Sequence, residues 1–406
     1  MRLLLPLLFA WPASAGIVRA PPASPPASPP APVVAPEPPP TMRLHFIDVG
    51  QGAATLVELP CGAMLVDTGG EDSEYGTFHS NEALRAYLDA FFVRRADLAR
   101  TLDVLVLTHP HIDHVRGALP VLQGYTVRAL VENGQVPIQE DAAEAMTAVR
   151  AHATEHPELR TLTVTLDDLP VDGTGLVSPV LDPFPTCKGV DPSVVALWGH
   201  VPLDPGWGED DNHNAPFDNE NNHSVVTRVD FGLSSLLVTG DLEEVAIRDL
   251  VRDRAAGALD VDVYVVGHHG SHNGTTRELL QAMSPEWAVL EVGPADRKEA
   301  WTAWQYGHPR QPTIELLEQE VSGKRDPVTE PIGTTVRRFT PRLIGEAIYA
   351  TGWDGTIVLE ADAEGRITRG TPDGAAPLAS TVPDPPPQPP AAPPPPAETS
   401  PAPKSP

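Results

Sequence analysis

Residues 109–114 read His-Pro-His-Ile-Asp-His. Three imidazoles and a carboxylate within six residues can present nitrogen and oxygen donors to two divalent ions at once, more than a single zinc needs. The motif follows an apolar run, Leu102 to Leu107, whose alternation and length suit a buried strand ending at Thr108. Further donors recur at comparable places. The run Leu236 to Gly240 leads into Asp241, Val263 to Gly267 leads into His268 and His269, and Met64 to Val66 leads into Asp67-Thr68-Gly69-Gly70. In the last of these the glycines let the backbone turn sharply behind the carboxylate. Taken singly, the short Asp67 and Asp241 motifs read equally well as turns. In this order after the His-rich segment, on the rigid platforms that strand ends supply, they read as one metal site.

The set resembles the metallo-β-lactamase superfamily, and within it the hydrolase domain of ComEC-type competence proteins and their stand-alone relatives. The closer resemblance rests on Phe46 to Gly52, Asn222 to Val226, Gly267-His268-His269-Gly270-Ser271 and Gly307-His308-Pro309, and it spans roughly residues 42 to 360. It implies an α/β fold, the αββα sandwich, with the site along one edge. It also implies His109, His111, Asp113, His114 and His268 as metal ligands, Asp241 as the ligand bridging two ions, and Asp67 as the group that orients ligand imidazoles. Two departures stand out. Where most members carry a metal-binding histidine before the Asp241 strand, this chain has Asp218 to Ser224, with His223 as the one imidazole to recruit. Ala53 stands where the resembled signature continues with Asp, which removes a polar contact near the site.

Two divalent ions, zinc by first preference and manganese by second, would share a hydroxide that serves as nucleophile at neutral pH. This suits hydrolysis without naming the bond. Phosphodiester cleavage, nuclease-like in the broad sense, is the leading expectation. Hydrolysis of a carbon ester, lactone or β-lactam, or a binding protein that has lost turnover, are the alternatives. Asp113 belongs to the catalytic set as well as to the ligands, and His269 and His308 are placed to contact a phosphoryl oxygen or to protonate a leaving group. Trp301, Trp304 and Tyr306 precede His308 and either wall the substrate or pack beneath a loop.

Around this core the chain is divided by composition. Arg2, the apolar stretch Leu3 to Trp11 and Ala13-Ser14-Ala15 read as a cleavable export signal over 1–15, too short to span a membrane permanently. Pro-rich segments follow at 16–41 and again at 371–406, leaving 42–370 as the hydrolase domain. The expected location is therefore secreted or periplasmic, with no transmembrane span in the mature chain and the Pro-rich flanks available for envelope association. The helical stretches are Asn81–Val93, Leu242–Arg252 and Thr275–Met283, and a long acidic loop from about Asp204 to Asn222 is expected beside the ligands. Cys61 and Cys187, the two cysteines, either pair in an oxidising compartment or remain thiols. The 406 residues carry 55 acidic against 28 basic side chains, a formal charge of −27, which disfavours tracking long nucleic acid. The partner expected is a small or polymeric phosphodiester.

Overall fold

Strands buried on both faces, with side chains alternating between them, build two layers of core, one on each face of a mixed sheet. In the computed structural model, which describes residues 39–73, 78–202 and 217–374, this sheet has eight strands. Their spatial order is Ile367–Arg369, Ile357–Asp362, Thr41–Phe46, Thr55–Leu59, Gly62–Val66, Val104–Val106, Ala129–Glu132 and Arg160–Thr163. Met42, Leu44, Phe46, Val57, Met64, Val66, Val104, Val106 and Val131 point to one face and join the core shared with the second sheet. Leu56, Leu65, Leu105 and Leu130, one residue out of phase, meet Leu84, Leu88 and Phe91 of the Ser80–Arg94 helix, Val121 of Ala118–Gly124 and Met146 of Glu140–Glu155.

The second sheet orders Ile348–Ala350, Trp287–Leu290, Val263–Val265, Ser234–Val238, Val226–Phe231 and Ser193–Trp198. Helices Glu244–Asp253, Arg277–Met283 and Gln311–Glu320 bury Ile247, Leu250, Leu279, Leu280, Ile314 and Leu317 against it. The layers are thus helix, sheet, sheet, helix, the αββα sandwich. Each sheet changes from antiparallel to parallel pairing partway across, at Gly62–Val66 in one and Ser234–Val238 in the other. Parallel strands release their chains at a common carboxyl edge, the usual place for ligands in α/β sheets. Asp67, Thr108–His114, Asp241 and His268–His269 all follow strands of that kind.

Local departures from the sequence reading have physical causes. The run Leu102–Leu107 is two short strands, because Asp103 Oδ2 accepts the Ala63 N–H (3.1 Å) and Oδ1 accepts from Arg128 (2.7 Å), interrupting the ladder. The helix expected from Thr275 starts at Arg277, since Thr276 caps it by accepting the Leu279 N–H. The helix expected from Leu242 starts at Glu244, after the turn that carries Asp241.

Cys61, in the turn between Thr55–Leu59 and Gly62–Val66, is disulfide-bonded to Cys187, with Cα atoms 5.4 Å apart. No helix among the described residues is long and apolar enough to cross a membrane. The expected signal at 1–15 and most of both Pro-rich segments lie outside the described residues, as does 203–216 of the acidic loop. At the expected boundaries, Thr41 already begins a strand, and Asp373 accepts a hydrogen bond from Arg94.

Candidate metal centre

The turn after Gly62–Val66 brings Asp67 under the His-rich segment. Its Oδ1 accepts the Thr108 N–H, and its Oδ2 accepts from both the Thr108 hydroxyl and His114 Nδ1, each at 2.8 Å. The backbone passes so closely here that a Cβ on Gly69 would stand 1.5 Å from the Asp113 carbonyl oxygen. That is the physical demand behind the glycine of the Asp67 motif. Ala53 contributes its backbone, donating its N–H to the same carbonyl at 3.1 Å.

Four side chains converge at the edge of the sandwich. Asp113, His114, Asp241 and His269 each offer a ligand atom, all within 4.8 Å of one another. His114 Nε2 lies 3.2 Å from His269 Nε2 and 3.1 Å from Asp241 Oδ1, and His269 Nε2 lies 3.3 Å from Asp113 Oδ2. His269 Nδ1 donates to the Glu291 carbonyl at 2.7 Å, which leaves its Nε2 facing the cluster. The His109 ring lies tilted against His114 with ring centres 4.2 Å apart. Because the Thr108 hydroxyl gives its proton to Asp67, it can only accept from His109 Nδ1 (3.2 Å). His109 Nε2 is then a buried lone pair with no partner among the described residues.

These donors fit divalent cations. Burial opposes ionisation of Asp113 and Asp241. The hydrogen bond from His269 and the charge of His114 override it for Asp113, and the charges of His114 and His269 do so for Asp241, so both stay well below the usual carboxylate range. Burial likewise disfavours a charged His114, yet Asp241 and Asp67 push it well above the usual histidine range. The cluster thus demands positive charge, which protons or metal ions can supply, and ion binding would displace the protons. His109 has no such carboxylate neighbour at hydrogen-bond distance, and burial holds it neutral, as a ligand imidazole must be.

A match to the Metallo-beta-lactamase superfamily covers residues 47–290. The chain belongs to that superfamily. It is 27% identical over 315 residues to ComE operon protein 3 of Bacillus subtilis, covering 75% of this chain and 34% of that protein. It is also 27% identical over 269 residues to Recombination protein 2 of Haemophilus influenzae, covering 66% of this chain and 26% of that protein. The chain therefore spans about a third or less of the length of these relatives. Among solved structures, the metallo-β-lactamase fold protein YhfI of Bacillus subtilis aligns over 70% of this chain and 94% of its own, with 12% identity and a TM-score of 0.38.

Within this metallo-β-lactamase site the remaining predicted residues take distinct places. His111 stands outside the four-residue cluster, its ring centre 4.6 Å from that of His109, and its Nε2 donates to Glu220 Oε2 at 3.1 Å, so Nδ1 is the nitrogen it can offer an ion. The sequence assigns the last ligand position to His268, and to His269 contact with a phosphoryl oxygen or protonation of a leaving group. The structure places His269 in the cluster, while His268 lies at its margin, with Nε2 3.7 Å from Asp241 Oδ2. His223 is a poor recruit. Its Nδ1 accepts the Val201 N–H and its Nε2 donates to the Phe217 carbonyl, so neither ring nitrogen is left for an ion. His308 lines the pocket and stacks on Tyr306, and its Nδ1 is buried without a partner among the described residues. Burial first, then the charges of His268 and His269, hold His308 neutral, which suits a hydrogen-bond donor better than a proton source.

Asp113, Asp241 and His269 of the cluster line an open pocket whose walls include Gln51, Asp72, Asn221, Trp301 and Tyr306. Trp304 is not among the lining residues. Its ring lies under the Arg337 guanidinium, 5.2 Å away, and its carbonyl accepts the Arg337 N–H. Two polar partners escaped the sequence reading: Glu220, which holds His111, and the Glu291 carbonyl, which holds His269. Glu220 sits in an acidic stretch where nothing in type or spacing sets it apart. A backbone carbonyl leaves no signature in sequence.

Proposed function

We propose that the protein is an exported, metal-dependent hydrolase that cleaves phosphodiesters. The observation that carries this reading is the convergence of His114 and His269 with the carboxylates of Asp113 and Asp241 beside an open pocket, with the buried Nε2 of His109, unpartnered among the described residues, on the ring next to His114. His111, through Nδ1, completes a set able to hold two ions. Bound there, divalent ions would lower the pKa of water and polarise the oxygens of an electrophile. The chain's own residues do the rest. Asp67, Glu220 and the Glu291 carbonyl fix which nitrogen each imidazole presents. His308, neutral and buried, donates a hydrogen bond to a phosphoryl oxygen, and Trp301 and Tyr306 wall the substrate.

The phosphodiester class is supported by the relative named for recombination and by a donor set rich enough for two ions. The formal charge of −27 points to a short or small substrate rather than a long polyanion. An oxidising compartment, as outside the cytosol, is consistent with the Cys61–Cys187 disulfide.

The test is hydrolysis of a chromogenic phosphodiester by the full chain, stripped of metal and reloaded with zinc or manganese, with His269→Ala and His111→Ala as controls. Activity restored by metal and lost in both variants is the expected result. Stoichiometric metal binding without phosphodiester turnover, but with turnover of a carbon ester, would overturn the substrate class.

A further inference from the structure

The carboxyl end of the Glu140–Glu155 helix, its last turn and its capping residue His156, carries a second pair of imidazoles that the centre does not use. His152 and His156 are four residues apart, joined by the His156 N–H donating to the His152 carbonyl at 3.0 Å, and their rings are stacked with centres 4.2 Å apart and planes 29° from parallel, so a modest side-chain rotation brings one nitrogen of each to a common ion. Residues at this spacing share one face of a helix. Both rings border a surface hollow that also includes Glu155, Glu158, Tyr125 and Leu159, and it shares no lining residue with the pocket of the metal centre.

We propose that His152 and His156 form a separate surface site that chelates one borderline transition-metal ion, such as Cu²⁺, Zn²⁺ or Ni²⁺.

Three features favour a cation here over two solvated side chains. First, His156 Nδ1 donates to Glu158 Oε1 at 3.1 Å. This fixes the tautomer and leaves Nε2 as the ligand atom, the arrangement in which a carboxylate orients a ligating imidazole. Second, the pair sits at the carboxyl end of a 16-residue helix, where the unsatisfied carbonyls give partial negative charge. Third, partial burial and the neighbouring His156 hold His152 below the usual histidine range, so its lone pair is available near neutral pH. The carboxylates of Glu155 and Glu158 border the same hollow and offset the ion's charge, with water completing its coordination.

The donor set also predicts selectivity. Two imidazoles suit copper, nickel and zinc, whereas manganese and magnesium prefer all-oxygen sites.

Titration calorimetry on the full chain, comparing wild type with His152→Asn/His156→Asn, tests the proposal. The variant should bind one equivalent fewer of Cu²⁺ or Zn²⁺, His156→Asn alone should weaken that equivalent at least 10-fold, and Mn²⁺ stoichiometry should be unchanged. The same one-equivalent difference should persist in a His269→Ala background, so it stands or falls independently of the metal centre. In the Cu²⁺-loaded wild type, electron paramagnetic resonance should show coupling to two imidazole nitrogens that the double variant lacks. Equal Cu²⁺ and Zn²⁺ stoichiometry and affinity in wild type and double variant would overturn it.

Discussion

At the residue scale, the two adjacent histidines after Gly267 have to be told apart. Both adopt left-handed backbone with φ of 52°, and His269 Nε2 enters the cluster while His268 stays at the margin. In a His152→Asn/His156→Asn background, which removes the surface equivalent, His269→Ala should therefore lose the metal of the centre on dialysis, whereas His268→Ala should retain at least one equivalent. Equal losses in both variants, measured by elemental analysis, would restore His268 as a ligand. Glu220→Gln should lower metal affinity by about 10–100-fold while leaving the melting temperature of the metal-stripped protein unchanged, because Glu220 acts through the orientation of His111. A fall in melting temperature without a change in affinity would make it a structural residue instead. The HPHIDH segment, Asp67 and Asp241 could be read in the sequence, since strand-end placement and residue type carry their signal. The choice between His268 and His269 could not, because it depends on two positive φ angles. The exclusion of His223 could not either, because it depends on the Val201 N–H and the Phe217 carbonyl, groups that every residue possesses.

At the scale of elements, short apolar runs gave away the strands that lead into the site, and the alternation of Leu56, Leu65, Leu105 and Leu130 with their inward neighbours is what makes the first sheet two-sided. Less legible was how distant elements are tied. Cys61–Cys187 links the first hairpin to the approach of the Ser193–Trp198 strand across 126 residues of sequence, so Cys61→Ser should destabilise the oxidised protein by about 2–5 kcal/mol, read from denaturant unfolding, with metal content unchanged. Behind the first sheet, Glu58 is buried among charges: Arg94 and Arg95 donate to it at 2.6–2.8 Å, and His45 lies at 3.1 Å. Burial opposes its ionisation, but hydrogen bonds from Arg94 and His45 override it and hold the carboxyl well below the usual range. A depressed carboxylate contributes stability that is complete above the ordinary value of 4.5 and is lost as pH falls and the proton enters. Glu58→Gln should thus cost about 3–5 kcal/mol at neutral pH, and the gap to wild type should narrow in unfolding curves taken at progressively lower pH below that value. A gap that does not change with pH would assign the loss to packing.

At the scale of the whole molecule, the −27 formal charge and the phosphodiester reading pull against each other, and ionic strength separates them. The surface field of an acidic protein repels an anionic substrate over about 30 Å at 0.01 M salt and over only about 8 Å at 0.15 M. For an anionic phosphodiester, kcat/KM should consequently rise as salt is raised across that range, while a neutral ester should show no such rise. A protein that gathers nucleic acid on a basic surface behaves oppositely, because added salt competes with counterion release. Should kcat/KM for the phosphodiester fall as salt increases, a basic path to the pocket must outweigh the acidic total. Arg116, which lines the pocket beside Asp72, and Arg297, which pairs with Glu71 at the same rim, are the cations to substitute in that case. Loss of the salt dependence in Arg116→Ala would then locate the path, and the substrate would lengthen from a small phosphodiester toward a polymer.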